Sequence, residues 1–337
     1  MTPYGRAGVG GPFFEDLQVG QVFDSAPSMT ITPGLAAAHQ AIIGDRLRLP
    51  LDCELSHAVT GVPGVLAHPA LVCDIAIGQS TVVTQRVKAN LFYRGLSFHR
   101  FPMIGDSLFT RTEVVGLRQN RTKPGRRPTG LAALRMTTVD QIGQLVLDFY
   151  RCAMLPIGSA DPAGHADDLD QIGAEPESAP AVLVDPTGHW NAAAFRERVP
   201  GPHFSADMAG IVLRSTADVV SSAPELARLT LNIAVTHHDS RSGPRLVYGG
   251  HTIGLALAQA TRLLPNLVTV LGWQSCDHTG PVQEGDTLYS DLHIDDAEPL
   301  PDGRGGVLRL RSVVYAAGAP GESDRPVLDW RYRVLHF

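Results

Sequence analysis

Hydrophobic and polar positions along this chain run in two periods, one helical and one strand-like, and the same order of segments appears twice. Apolar residues at helical spacing occupy 34–43 and, more densely, 70–77. Alternating stretches rich in β-branched and aromatic residues follow at 87–93, 107–117, 130–139 and 144–154, and each predicts a strand. The second half repeats the scheme with a helix over 252–264 and strands over 268–273, 287–294, 307–315 and 327–334. The basic, proline-containing run 118–128 predicts a loop between strands. Gly303-Arg304-Gly305-Gly306 predicts a hairpin turn, because it lies between strand patterns and lacks the Gly-x-x-x-x-Gly-Lys-[Ser/Thr] context of a phosphate loop.

The repetition extends to motifs. Ile42-Ile43-Gly44-Asp45, Asp52, His68 and Pro102-Met103-Ile104-Gly105-Asp106-Ser107-Leu108 in the first half correspond to Thr230-Leu231-Asn232, Asp239, Gly249 and Pro281-Val282-Gln283-Glu284-Gly285-Asp286-Thr287-Leu288 in the second. The separations are 187 for Asp45 and Asn232, 187 for Asp52 and Asp239, 181 for His68 and Gly249, and 180 for Asp106 and Asp286. Residues 158–188, rich in Pro, Gly and acidic side chains, read as a solvated connector between units at 1–157 and 189–337. A long helix followed by an antiparallel meander is the hotdog pattern. The expected fold is therefore α+β, a double hotdog: two tandem domains, each a long helix wrapped by an antiparallel sheet, with the sheets joined edge to edge.

Composition narrows the chemistry. At 337 residues the chain is too long for one ordinary core and comfortable for two. Hydrophobic residues at 44% and charged residues at 18% predict a globular protein with a sizeable core. A net charge of −6 with no dense basic stripe argues against nucleic acid as a partner. Four scattered cysteines, Cys53, Cys73, Cys152 and Cys276, read as buried reduced thiols and point to a cytoplasmic location. Neither a signal peptide nor a membrane span is expected. No metal-ligand constellation or Gly-x-Ser-x-Gly elbow is seen, so the expected chemistry needs neither metal nor cofactor.

The segment Leu229-Thr230-Leu231-Asn232-Ile233-Ala234-Val235-Thr236-His237-His238-Asp239 resembles the signature of the MaoC-like, (R)-specific enoyl-CoA hydratases. In that family an Asp precedes a His by five positions, in a motif close to Gly-Asp-x-Asn-Pro-[Ile/Leu]-His. The resemblance covers nearly the whole chain, including Phe13-Phe14-Glu15-Asp16-Leu17-Gln18-Val19-Gly20-Gln21. The tandem arrangement and Tyr248-Gly249-Gly250-His251 look most like the mesaconyl-CoA hydratase-like branch. His237 matches the family His, but Asn232 stands at the Asp position, and an amide cannot serve as a base. The first half keeps Gly44 and Asp45 but has Pro50 at the His position.

The resemblance implies an acyl-CoA or other acyl-thioester substrate and a hydro-lyase reaction. Candidate catalytic residues are His237 and Asn232. Candidate substrate-binding residues are Tyr248, Gly249, Gly250 and His251, where backbone N–H groups at a helix start would meet the thioester oxygen and glycines would admit close approach. Each has a plainer alternative: His237 as a polar loop-edge residue, Asn232 as a vestige, His251 and His238 as spare titratable groups, His278 as a surface residue at a strand end. Asp239 reads as a turn or cap, and His68 as a residue satisfying a turn. Arg46 and Arg48 could pair with Asp45 or Asp52 and plug the first site. Ala70, Leu71, Ala76 and Ile77 read first as core, though they are also compatible with space for an acyl chain. The rival functions are a non-catalytic acyl-thioester binder with a degenerate site and a hotdog thioesterase, which would need a carboxylate facing the thioester. A homodimer is compatible with either.

Overall fold

The computed structural model describes residues 10–122, 124–159, 164–174, 186–241 and 243–337. In the first half, short strands β1 (Val22–Phe23) and β2 (Met29–Thr30) precede helices α1 (Pro33–Ile43), α2 (Cys53–Thr60) and α3 (Pro69–Gln79). Strands β3 (Ala89–Phe98), β4 (Ser107–Gln119), β5 (Thr129–Val139) and β6 (Leu145–Pro156) follow. The second half contains α4 (Ala192–Arg198), β7 (Val212–Arg214), β8 (Asp218–Val219), α5 (Ala223–Leu229) and α6 (Gly249–Leu263). It closes with β9 (Leu267–Asp277), β10 (Thr287–Pro299), β11 (Gly306–Ala316) and β12 (Arg325–His336). Every long element falls on its predicted segment, with the strands extending beyond the alternating stretch. Helices α2, α4 and α5 and the four short edge strands carry too little periodicity to be predicted.

One antiparallel sheet runs β1-β4-β5-β6-β3-β9-β12-β11-β10-β7. The halves join edge to edge where β3 pairs with β9, through Phe92 opposite Asp277, Tyr93 opposite Cys276 and Leu96 opposite Trp273. That pairing buries the two edges that separate hotdogs would leave open. Helix α3 is buried at every position, which is why it shows no amphipathic stripe, and α6 is buried at nearly every one. His68 and Pro69 start α3, the His68 Nδ1 accepting from the Ala70 N–H and Pro69 occupying a position whose N–H would be unpaired.

The hydrogen bonds repeat as the motifs do. Asp106 Oδ2 accepts from Met103 N and Asp286 Oδ2 from Gln283 N, each closing the turn into a long strand. Gln79 donates to the Leu108 carbonyl and Gln259 to that of Leu288. Contacts across the halves are reciprocal: Ile233 N donates to Thr81 Oγ1, and Arg46 N donates to Thr261 Oγ1. Each motif loop is therefore held by the central helix of the other half, the arrangement of an isologous two-fold interface. The same geometry revises one pairing. His68 and Tyr248 are the residues that cap the starts of α3 and α6, so His68 corresponds to Tyr248 rather than Gly249.

Part of the connector packs onto the first sheet: Leu169 is buried, Ile172 lies against Gly116, and Asp167 Oδ2 accepts from Leu117 N. That part is not the solvated segment expected; residues 160–163 and 175–185 of it lie outside the described residues. Cys73, Cys152 and Cys276 are buried thiols, whereas Cys53 is exposed at the start of α2. No helix among the described residues is long and apolar enough to cross a membrane.

Helix α3 touches the second motif loop at Gly78, where an added Cβ would lie 1.6 Å from the Thr230 carbonyl oxygen. Alanine is intrinsically the better helix former by about 1 kcal/mol. Gly78→Ala should nonetheless destabilise the protein by roughly 2–4 kcal/mol, because backbone must move to admit the methyl. Urea denaturation measures this, and an unchanged or raised midpoint would contradict the close approach.

Candidate active site

Asn232 and His237 owe their positions to a loop whose backbone preserves a conformation the sequence has abandoned. In the first half Gly44 has φ 68°, and Asp45 Oδ1 then accepts from Leu47 N at 2.6 Å. In the second, Leu231 holds φ 61°, and Asn232 Oδ1 accepts from Ala234 N at 3.0 Å. Both steps are thus a left-handed residue followed by an Asx turn, and Leu231 adopts it at a cost of about 1–2 kcal/mol. With Oδ1 committed to Ala234, the Asn232 side chain has only its NH2 group left to present as a donor. His238 Nε2 donates to the Asn232 carbonyl at 2.6 Å and braces the loop from behind.

His237 follows on a short helical turn, Val235–His237. Its Nδ1–H donates to the Leu246 carbonyl at 2.8 Å, since a carbonyl can only accept. The neutral ring therefore carries its proton on Nδ1 and leaves Nε2 with a free lone pair. Burial, with the neighbouring His238 and Arg151 adding to it, lowers the His237 pKa to about 4. At neutral pH the side chain is an uncharged base.

His237 and Asn232 line one cavity of about 370 Å³, together with Tyr248, Gly249, Tyr93, Arg151 and His278. The first half contributes Ile77, Thr81 and Thr84 from the end of α3 onward, so the cavity lies between the halves. Ala70, Leu71 and Ala76 are core. None of the described residues lining the cavity is acidic. An adjoining hollow shares Val87, Lys88 and Thr236 with it and is bordered by Arg86 and Arg127.

Of the other expected binding residues, Tyr248 and Gly249 reach the cavity, while Gly250 and His251 lie behind it. Gly249 begins α6, whose first N–H groups have no partner within the helix. The glycines make room for protein side chains as much as for a ligand. A Cβ at Gly249 would meet His278 Nε2 at 2.5 Å, and one at Gly250 would meet Asp74 Oδ1 at 2.0 Å. Asp74 accepts from the Tyr248 hydroxyl at 3.1 Å and lies 3.4 Å from His39 Nε2. His251 is fully buried, and neither of its ring nitrogens meets a hydrogen-bond partner among the described residues. His278, at the end of β9, is half-buried, with its Nε2 atom buried and likewise unpartnered among the described residues. Asp239 pairs with exposed Arg241, as befits a turn.

The opposed first-half site is built differently from expectation. Asp45 lies 3.1 Å from His68 Nε2, outside hydrogen-bond geometry, and both are buried. Arg48 instead donates to the Pro265 carbonyl, and Asp52 caps α2 by accepting from Leu55 N. Neither arginine plugs Asp45. Arg151 and Tyr93 escaped sequence reading. The available signal for Arg151 was the one cation in the largely apolar β6, which also carries Asp148; Tyr93 had none.

Four histidines, His237, His251, His278 and His336, have pKa values lowered by burial to about 4. Each lies below the unfolded value of about 6.5, so the unfolded chain binds more protons between pH 6.5 and 4. Their contribution to stability is complete above pH 6.5 and is lost as pH falls through this window, at about 3 kcal/mol per histidine by pH 4. Urea titrations should show stability falling from pH 6.5 to 4.5 with uptake of two or more protons on unfolding. A flat profile would show that these rings are not held neutral.

No protein-family model matches the chain. A solved structure of the conserved hypothetical protein Rv0216 from Mycobacterium tuberculosis, described as a double hotdog, is 68% identical. It matches over 98% of this chain and 99% of its own, with a TM-score of 0.93. The β-methylmalyl-CoA dehydratase of Chloroflexus aurantiacus is 29% identical over 96% of this chain and 91% of its own. The mesaconyl-CoA hydratase of Cereibacter sphaeroides is 25% identical over 91% and 90%. Solved structures described as MaoC-like dehydratases share the fold over more than nine-tenths of the chain. Sheet, tandem repeat, motif loop and these likenesses agree: the chain belongs with the MaoC-like double-hotdog proteins.

Proposed function

We propose that the protein hydrates and dehydrates an acyl-CoA thioester reversibly, in the cavity of the second half, with His237 as its one acid/base. The observation that carries this reading is the Nδ1–H bond to Leu246, which leaves Nε2 basic in a cavity without a carboxylate. Water adds across the Cα=Cβ bond: its oxygen bonds to Cβ, one of its protons passes to His237 Nε2, and His237 returns a proton to Cα. The ring ends neutral, and the reverse sequence expels water. Asn232 would hold the water through its NH2 group. Charge developing on the thioester oxygen would meet the first-turn N–H groups of α6 at Gly249, with His278 beside them. Arg86, Lys88 and Arg127 bordering the adjoining hollow suit the phosphates of CoA. The units on either side of 158–188 would divide the labour, the first supplying one wall and the second the reacting groups.

A thioesterase is disfavoured, because none of the described residues lining the cavity is the carboxylate it would need. Asn232 at the family's base position favours the second reading, a binder of acyl thioesters without turnover.

Loss of enoyl-thioester absorbance, followed with crotonyl-CoA and mesaconyl-CoA, separates the two. His237→Ala should lower kcat/KM by roughly 10²–10⁴-fold, the usual worth of general acid–base catalysis. An unchanged rate would remove His237 from the mechanism. A wild-type protein that binds but does not turn over, awakened by Asn232→Asp, would establish the binder.

A further inference from the structure

The opposed first-half site has lost its interior but kept its mouth. Tyr93 and Arg151 of the second cavity, paired across β3 and β6, correspond to Trp273 and Tyr332, paired across β9 and β12. Arg151 is a buried cation with no carboxylate partner among the described residues, whereas Tyr332 is a buried phenol. Trp330 stacks on Tyr332 at 3.6 Å and meets Trp273 edge-on, and all three rings are buried. Burial raises the Tyr332 pKa and the nearby Asp45 charge raises it further, as expected of a ring at the first-half site. These rings occupy the volume that the second half leaves open, and Pro50 replaces the motif His. The first half thus has no room for an acyl group there and no motif His to hydrate one.

Outside this filled interior lies a hollow of about 740 Å³. It is framed like the hollow beside the second cavity: Asp52 and Asp239 follow the two motif loops, and Pro265 and Gln85 follow the two central helices. Arg46 and Arg48 reach it from the motif loop, Arg198 from the last turn of α4 and Arg262 from α6. The frame does not demand these cations, because the second motif loop has Ile233 and Val235 where the first has Arg46 and Arg48. Arg262 pairs with Asp218, and Arg48 gives its Nε–H to the Pro265 carbonyl. Among the described residues no carboxylate pairs with Arg46, Arg48 or Arg198. The two acids at the hollow are engaged with the backbone: Asp45 is buried and accepts from Leu47 N, and Asp52 caps α2.

Like charges gathered from separate elements repel one another, and an anion that meets them together relieves the repulsion. Guanidinium is the side-chain group best matched to phosphate oxygens. Three of them spread around so wide a hollow exceed the reach of one phosphate and suit two that are joined.

We propose that this hollow is a second ligand site, which binds a diphosphate group through Arg46, Arg48 and Arg198 and performs no chemistry on it. The site is separate from the acyl-thioester cavity and does not depend on what that cavity turns over. Free CoA and a simple nucleoside diphosphate both carry the group, and neither brings an acyl chain for which the filled interior has no place.

Isothermal titration with ADP and with free CoA tests this. Arg127→Glu first weakens the second-half hollow, which has cations of its own. In that background ADP should still bind. Adding Arg46→Glu or Arg198→Glu should weaken binding about tenfold each, and both together about 10²-fold, the scale of one charge-assisted contact per guanidinium. All three arginines are exposed, so the substitutions spare the core. Equal binding of ADP and CoA identifies a site for nucleoside diphosphates at large, and binding of CoA alone identifies CoA as the ligand; either sustains the proposal when the first-half variants weaken it. Failure of both ligands to bind in the Arg127→Glu background, or binding that the first-half variants leave unchanged, overturns it. Enoyl-thioester turnover and its loss in His237→Ala are measured independently, so the acyl-thioester reading stands or falls apart from this result.

Discussion

Everything at the candidate site depends on the fit of each half's motif loop against the other half's central helix. Gly78 lets α3 approach the Thr230 carbonyl so closely that no side chain fits between them. One turn further, Thr81 accepts the Ile233 N–H, and Thr261 does the same for Arg46 in the opposed site. Because the anchor of each loop is borrowed, neither half could build its site alone. The β3–β9 pairing fixes the distance across which the exchange takes place.

That borrowed geometry explains how the two sites diverged without loss of the fold. Both loops keep the left-handed residue and the Asx turn that follows, whether the residues are Gly44 and Asp45 or Leu231 and Asn232. The chemistry riding on the frame differs. The first site retains a carboxylate and has His68, from the start of α3, facing it; the second retains the motif His with Tyr248 at the matching helix start. The backbone frame is shared, and the acid/base groups are interchangeable passengers on it.

Electrostatics give the second cavity its character. Enclosure in the cavity holds His237 and His278 uncharged, and no carboxylate stands among the described residues that line it. The same enclosure makes the lone Arg151 charge strong, because little solvent screens it. A neutral base and an unbalanced cation are one consequence of burial expressed on two side chains of opposite tendency: the imidazole releases its proton, while the guanidinium cannot.

The sequence alone determined the architecture. Helical and strand periods recur in one order with near-constant offset, and that pattern survives because a buried helix and a half-buried sheet each demand it locally. It also located the motif loop, since His237 and Asn232 lie five apart within a single turn. Spacing alone did not reveal that His68 faces Asp45, that Gly250 and His251 lie behind the cavity, or that Arg151 and Tyr93 enter it. These depend on which faces meet when α3, α6, β3 and β6 pack together. Arg151 stands 86 positions from His237 in the chain. Only the closing of the sheet around two helices brings such residues into one enclosure, where burial, which spacing in the chain does not reveal, sets their ionisation.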